Sequence, residues 1–69
     1  MDDDKAAAIA NALEALQMNQ TALRAAVEEV STWIRQRGSV SVHDNVMTTL
    51  EALDLQASTL TSVIELLRT

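Results

Sequence analysis

Trp33-Ile34-Arg35-Gln36-Arg37-Gly38-Ser39-Val40-Ser41-Val42 decides the fold, because it holds the only glycine of a 69-residue chain that has no proline. Arg35 and Arg37 precede Gly38. Cations in a last helical turn offset the negative end of the helix dipole, and a glycine just beyond supplies the left-handed residue that closes many helices. The stretch predicts a first helix ending near residue 37, a turn over 38–41 and a second helix from about 42. Ser41, followed three residues later by Asp44, reads as a capping-box-like start with Asp in place of the usual Glu. A joint this short permits only an antiparallel pair.

The apolar spacing on either side of the joint agrees. Upstream, Ile9, Leu13, Leu16, Gln20, Leu23, Val27, Val30 and Ile34 alternate steps of four and three; downstream, Val46, Leu50, Leu53, Ala57, Leu60, Ile64 and Leu67 do the same. A repeat of about 3.5 residues is the seam of helices that supercoil around one another. Helix 1 is therefore expected over about 3–37 and helix 2 over about 42–68, roughly 50 and 40 Å long at ~1.5 Å per residue. Asp2, Asp3 and Asp4 open the first helix, where the dipole favours negative charge. Trp33 is the one aromatic residue, whereas sheet folds draw heavily on aromatic and β-branched side chains.

Gln20 interrupts an aliphatic row and should face Leu60 if the chain folds about residue 40. It either fixes register or lies where the helices splay toward water. Ala57 permits close helix approach near Leu23. Ala12, Ala26 and Trp33 widen the apolar face of helix 1, and Met47, Val63 and Leu66 widen that of helix 2. A stripe so broad suits a helix with two neighbours. Ordering a chain of this length costs on the order of 100 kcal/mol, and a lone hairpin buries little to offset it. With no cysteine and one histidine, the remaining remedy is oligomerisation. The expected fold is all-α: a single domain, residues 1–69, forming an antiparallel helical hairpin that dimerises into a four-helix bundle. Its core and dimer residues would be Leu13, Leu16, Gln20, Leu23, Val27, Val30, Ile34, Leu50, Leu53, Leu60, Ile64 and Leu67.

Chemistry is hard to place on such a chain. His43 stands beside Asp44, but adjacent helical residues point about 100° apart, so His43 reads as a polar residue at the bundle end near Arg37. Glu28-Glu29 lacks the Glu-x-x-His partners of a di-metal bundle, and there is no glycine-rich phosphate loop or nucleophile elbow. The chain is expected to be no enzyme, with no catalytic residue, cofactor or metal. Its net charge of −5 argues against direct nucleic-acid binding. With neither a run long enough to cross a bilayer nor a signal peptide, a cytoplasmic location is expected.

What remains is surface. Asp44, Glu51 and Glu65 recur at multiples of seven and share one outer stripe of helix 2, with Asp54 on an adjacent face. The stripe is either a solvated face or an acidic ridge that docks on a basic surface, such as the DNA-reading face of a regulator. Trp33 is either a docking anchor or a side chain packed in the dimer or under the joint. Leu55 and Met18 lie opposite the seams and should be exposed; with Trp33, Val40 and Val42 they suggest a sticky flank or joint end. The partner-binding candidates are Trp33, Asp44, Glu51, Asp54 and Leu55.

Taken together, the Asp2-Asp3-Asp4 start, the Ala-rich first helix, the Trp33-Ile34-Arg35-Gln36-Arg37-Gly38 joint and the Leu-rich second helix resemble the small phage-encoded anti-activators of LuxR-type quorum-sensing receptors. The resemblance covers the whole chain as a pattern and carries no residue roles across. It implies a dimer in the host cytoplasm that binds a LuxR-type transcription factor and blocks its contact with DNA. It also implies a possible second host target, a pilus-assembly ATPase. Plasmid copy-control RNA-binding hairpins share the two-helix plan but need a basic face, and here only Lys5, Arg24, Arg35 and Arg37 could supply one. The alternative class is a structural, assembly or secretion-chaperone-like helical module that pairs with a different chain.

Overall fold

Asp2 caps the first helix: its carboxylate accepts a 2.7 Å hydrogen bond from the backbone N–H of Lys5, and Asp3 and Asp4 follow in the first turn. The computed structural model describes residues 2–69, which form two helices, α1 (Asp3–Gln36) and α2 (Val40–Arg68). No residue among them is in a strand. No helix is long and apolar enough to cross a membrane.

At the joint, Gly38 adopts φ +103°, the left-handed conformation expected of it. The N–H of Gly38 donates to the carbonyl of Arg35, and that of Ser39 donates to the carbonyl of Ile34. These two bonds satisfy carbonyls that the end of α1 would otherwise leave unpaired. They also turn the chain fully by Ser39, so α2 begins at Val40, two residues earlier than the sequence suggests. Ser39 occupies the N-cap without a side-chain cap bond, and Ser41 lies inside α2. The capping box expected from Ser41 and Asp44 is therefore not formed, because Ser41 is already past the cap.

The helices pack antiparallel into a rod of 53 × 16 × 11 Å. On α2 the expected seam faces inward except at Leu53: Leu50 and Ile64 are buried, and Val46, Ala57, Leu60 and Leu67 are half-buried, as is His43 outside the expected seam. On α1 it does not. The residues turned toward α2 are Ala10, Leu13, Gln17, Arg24, Ser31 and Ile34, while Leu16, Leu23 and Val30 are each more than half exposed. Ile9 and Val27 are also exposed, Leu53 stands at the edge of the groove, and Gln20 is exposed and not enclosed opposite Leu60. Relative to the expected seam, α1 is rolled by about 50°, half the angle between successive helical residues. The row Ala10, Gln17, Arg24 and Ser31 replaces Ile9, Leu16, Leu23 and Val30. Small side chains at Ala10 and Ser31 let the backbones approach, and the long polar ones between them reach partners on α2. The aliphatic stripe of α1 is too wide to be covered by one neighbour.

The enclosed core is consequently thin, with Ala10, Leu50, Ile64 and Ser31 the buried residues. The accessible surface of 5278 Å² exceeds the roughly 4,200 Å² of a compact protein of this mass by about 1,000 Å². The radius of gyration, 16.0 Å, compares with ~11 Å for a compact chain of this length.

A Cβ at position 38 would meet no atom within 4 Å, so the demand for glycine there is one of backbone conformation alone. Gly38→Ala should lower stability by about 1–2 kcal/mol, read as a drop of roughly 5–15 °C in thermal unfolding followed by circular dichroism. An unchanged midpoint would mean that the left-handed joint is not part of the folded protein.

Candidate functional site

The two long edges of the hairpin differ in chemistry. Along one edge, α1 and α2 are tied by polar side chains. The Gln17 amide donates to Thr61 Oγ1 at 2.7 Å and to the Ala57 carbonyl at 3.3 Å. Arg24 grips Asp54 with two bonds, Nε to Oδ1 at 2.6 Å and Nη2 to Oδ2 at 3.0 Å, and its Nη1 pairs with Glu28. Near the chain termini, Arg68 Nη2 donates to Asn11 Oδ1 at 3.0 Å and to Glu14 Oε2 at 2.9 Å. The hydrogen bonds that Arg24 donates to Asp54 first, then to Glu28, raise its pKa further above its already high ordinary value. These groups face water, and exposed ion pairs contribute little net stability. The bidentate Arg24–Asp54 pair instead helps set the register of one helix on the other.

Near the joint, Ser31 Oγ and His43 Nδ1 lie 2.9 Å apart, so His43 pairs across the helices and not with Asp44 or Arg37. Among the described residues no buried polar side-chain atom lacks a partner.

The opposite edge is an open apolar face. A groove of about 260 Å³ is lined by Ala26, Val27, Val30, Ser31, Ile34 and Val46. Ile9, Leu16 and Leu23 continue it along α1, and Leu53 and Val63 along α2, all exposed. At mid-length a second depression, of about 230 Å³, is walled by Gln17, Thr21, Arg24 and Asp54 of the polar edge together with Gln20, Leu53, Gln56, Ala57 and Leu60, so it belongs to the groove between the helices and not to the apolar face alone. Ala57, read in the sequence as a close approach to Leu23, instead sits beside Gln17.

The structure separates the five partner-binding candidates. Asp54, on the face adjacent to the acidic stripe, is bonded to Arg24 and so belongs to the polar edge. No basic residue of α2 lies near it, and the cation arrives from a helix whose facing row the sequence pattern had not identified. Asp44 and Glu51 remain exposed and, with Glu65, appear in no ion pair among the described residues. Leu55 is 74 % exposed on the outer side of α2, and Met18 is exposed on α1. Trp33 is 56 % exposed and carries the Arg37 guanidinium 4.9 Å from its ring centroid. Within the hairpin it is therefore not tucked under the joint.

Sequence reasoning missed Gln17, Arg24 and Ser31. Their signal was present: with Ala10 they recur every seven residues, a row beside the aliphatic seam, but their polarity marks them as outer surface. Among the described residues no three His, Asp or Glu side chains converge as a metal site would require. No family model, curated protein or solved structure matches the chain.

Ser31, only 2 % exposed, discriminates between the two rolls of α1. If the aliphatic seam faced α2, Ser31→Leu would be harmless or stabilising. With the observed packing it should destabilise by about 1–3 kcal/mol through overpacking, and Ser31→Ala by about 1 kcal/mol through the lost bond to His43. Urea denaturation of both variants decides; a Ser31→Leu protein more stable than the parent would overturn the observed roll.

Proposed function

We propose that the chain is a non-enzymatic interaction protein that pairs with a second copy of itself into a four-helix bundle and disables a regulatory protein by docking on it. The observation that carries this reading is the open apolar face running the length of the hairpin. The hairpin's total surface exceeds that of a compact protein of its mass by about 1,000 Å², against the ~800 Å² that one partner buries in a standard stable interface. The exposed row of Ile9, Leu16, Leu23 and Val30 is a contiguous apolar stripe of the kind that marks an interaction surface. Each helix then has two neighbours, one across the polar edge and one across the open face, which is why a single aliphatic stripe is too wide for the hairpin alone.

Docking on a regulator would use the other side of α2. There Asp44, Glu51 and Glu65 form a stripe of unpaired carboxylates beside exposed Leu55. Charges of one sign on a rigid helix steer association with a basic surface, and the apolar side chain among them can be desolvated on contact. A DNA-reading surface is basic, so a LuxR-type transcription factor, the partner class the sequence pattern suggests, fits this chemistry. Occupying that surface would exclude DNA by simple competition.

Light scattering should return twice the 7.5 kDa mass of the chain. Leu23→Glu, which places a charge on the open face, should abolish that doubling. A single-chain mass at micromolar concentration would reject the bundle, and a heavier complex only with another chain present would favour an assembly module. In a gel-shift assay with a purified LuxR-type regulator and its operator, the protein should release the DNA. Charge reversal at Asp44 and Glu51 together should raise the concentration needed at least tenfold. If DNA binding survives saturating protein, that regulator class is not the target.

A further inference from the structure

We infer that the second copy lies with its joint at the opposite end of the bundle, so that α1 packs on α1 and α2 on α2, with four glutamine amides meeting at the twofold axis. The inference rests on the homodimer reading above and specifies its interface. Two flat hairpins placed face to face by a twofold axis have two choices. An axis along the rod keeps both joints at one end and sets α1 against the partner's α2. An axis across the rod puts the joints at opposite ends and sets each helix against its own counterpart.

The aliphatic rows favour the second choice. The α1 stripe runs from Ile9 to Ile34, and its midpoint falls between Thr21 and Ala22. Folded antiparallel on itself it pairs Ile9 with the partner's Ile34, Leu13 with the partner's Val30, Leu16 with the partner's Val27 and Gln20 with the partner's Leu23. Every layer but the central ones is aliphatic on both sides. The open row of α2 runs from Val42 to Leu67, with its midpoint between Asp54 and Leu55. It pairs Val42 with the partner's Leu67, Val46 with the partner's Val63 and Leu53 with the partner's Gln56. One axis can serve both pairs only if the two midpoints lie at the same height in the hairpin. They do: Arg24 is bonded to Asp54 and Gln17 to Ala57 and Thr61, which sets the α1 midpoint level with residues near 55.

That axis passes beside Gln20 and Gln56, which line one mid-length depression with Gln17, Arg24 and Asp54 of the polar edge and are both exposed in the single hairpin. In the crossed arrangement each amide lies within one helical turn of its own counterpart. A carboxamide offers both donors and an acceptor, so a ring of four can satisfy itself. A polar layer inside an aliphatic seam is a known means of selecting one register over others. The ends agree in sign. The termini carry Asp2, Asp3 and Asp4, and the joint carries Arg35 and Arg37. Opposite-end packing brings unlike charges together at both ends, whereas same-end packing stacks carboxylate on carboxylate and guanidinium on guanidinium. It also brings both α2 helices to one side of the bundle.

The cysteine-free chain allows a direct test. Ser39→Cys, at a joint position whose side chain makes no cap bond, accepts a spin label. In the purified dimer the label-to-label distance should be close to the 53 Å length of the hairpin. A distance under about 20 Å, as for helices packed ~10 Å apart across one bundle end, overturns the orientation while leaving the homodimer intact. A mass of one chain overturns the homodimer reading itself, so the two failures are distinct. Replacing both glutamines, Gln20→Leu with Gln56→Leu, should leave a dimer in which a second, short distance appears. A single long distance in that variant would remove the glutamines from the inference.

Discussion

A helix can turn only part of its circumference toward one neighbour, and the apolar arc of α1 is wider than that part. The other features of the hairpin depend on this mismatch. Given one intramolecular partner, α1 must choose which portion of its surface to present. It presents the row of Ala10, Gln17, Arg24 and Ser31 with the shared positions Leu13 and Ile34, and leaves its most aliphatic row in water. The choice is physically reasonable at each layer. Alanine and serine allow close backbone approach opposite Leu50 and Ile64, and glutamine and arginine find hydrogen-bond partners that aliphatic residues could not use.

Polar contacts here act mainly on specificity. The arginine-centred pairs and the Gln17 bond are exposed, and such interactions add little to the folding free energy. They are nevertheless spaced along the whole rod, from Arg68 with Glu14 at the termini, through Arg24 with Asp54, to Ser31 with His43 near the joint. A one-turn slip of α2 would break all of them together. With so small a buried core, uniqueness of register has to come from such groups.

The same division organises what the molecule can offer to others. One edge is already tied, one face is apolar and unpaired, and the outer side of α2 carries carboxylates around Leu55. Trp33, half in solvent with Arg37 stacked over it, gives the joint end an amphipathic surface of its own. In the proposed dimer the apolar face would serve the permanent partner, because burying it removes aliphatic side chains from water. The proposed regulator would meet the acidic side, where charge accelerates encounter without committing much affinity.

Much of this was legible in the residues themselves. The absence of proline, the single Gly38 with its basic approach, and the four-three spacing determined two helices, one left-handed joint and an antiparallel course. These are local or periodic properties, which a sequence displays directly. The breadth of the apolar stripe of α1 was legible too, and within the hairpin it leaves Leu16, Leu23 and Val30 exposed. Only the tertiary structure decided which arc of α1 meets α2, that Gln17 and not Gln20 bridges the helices, that Asp54 is held by Arg24, and that α2 starts at Val40 without the Ser41 cap. Each depends on how far one helix is rolled against the other. That roll is set by backbone approach distance and by side chains reaching across the groove, and heptad spacing, which is nearly the same for two adjacent rows, does not distinguish them.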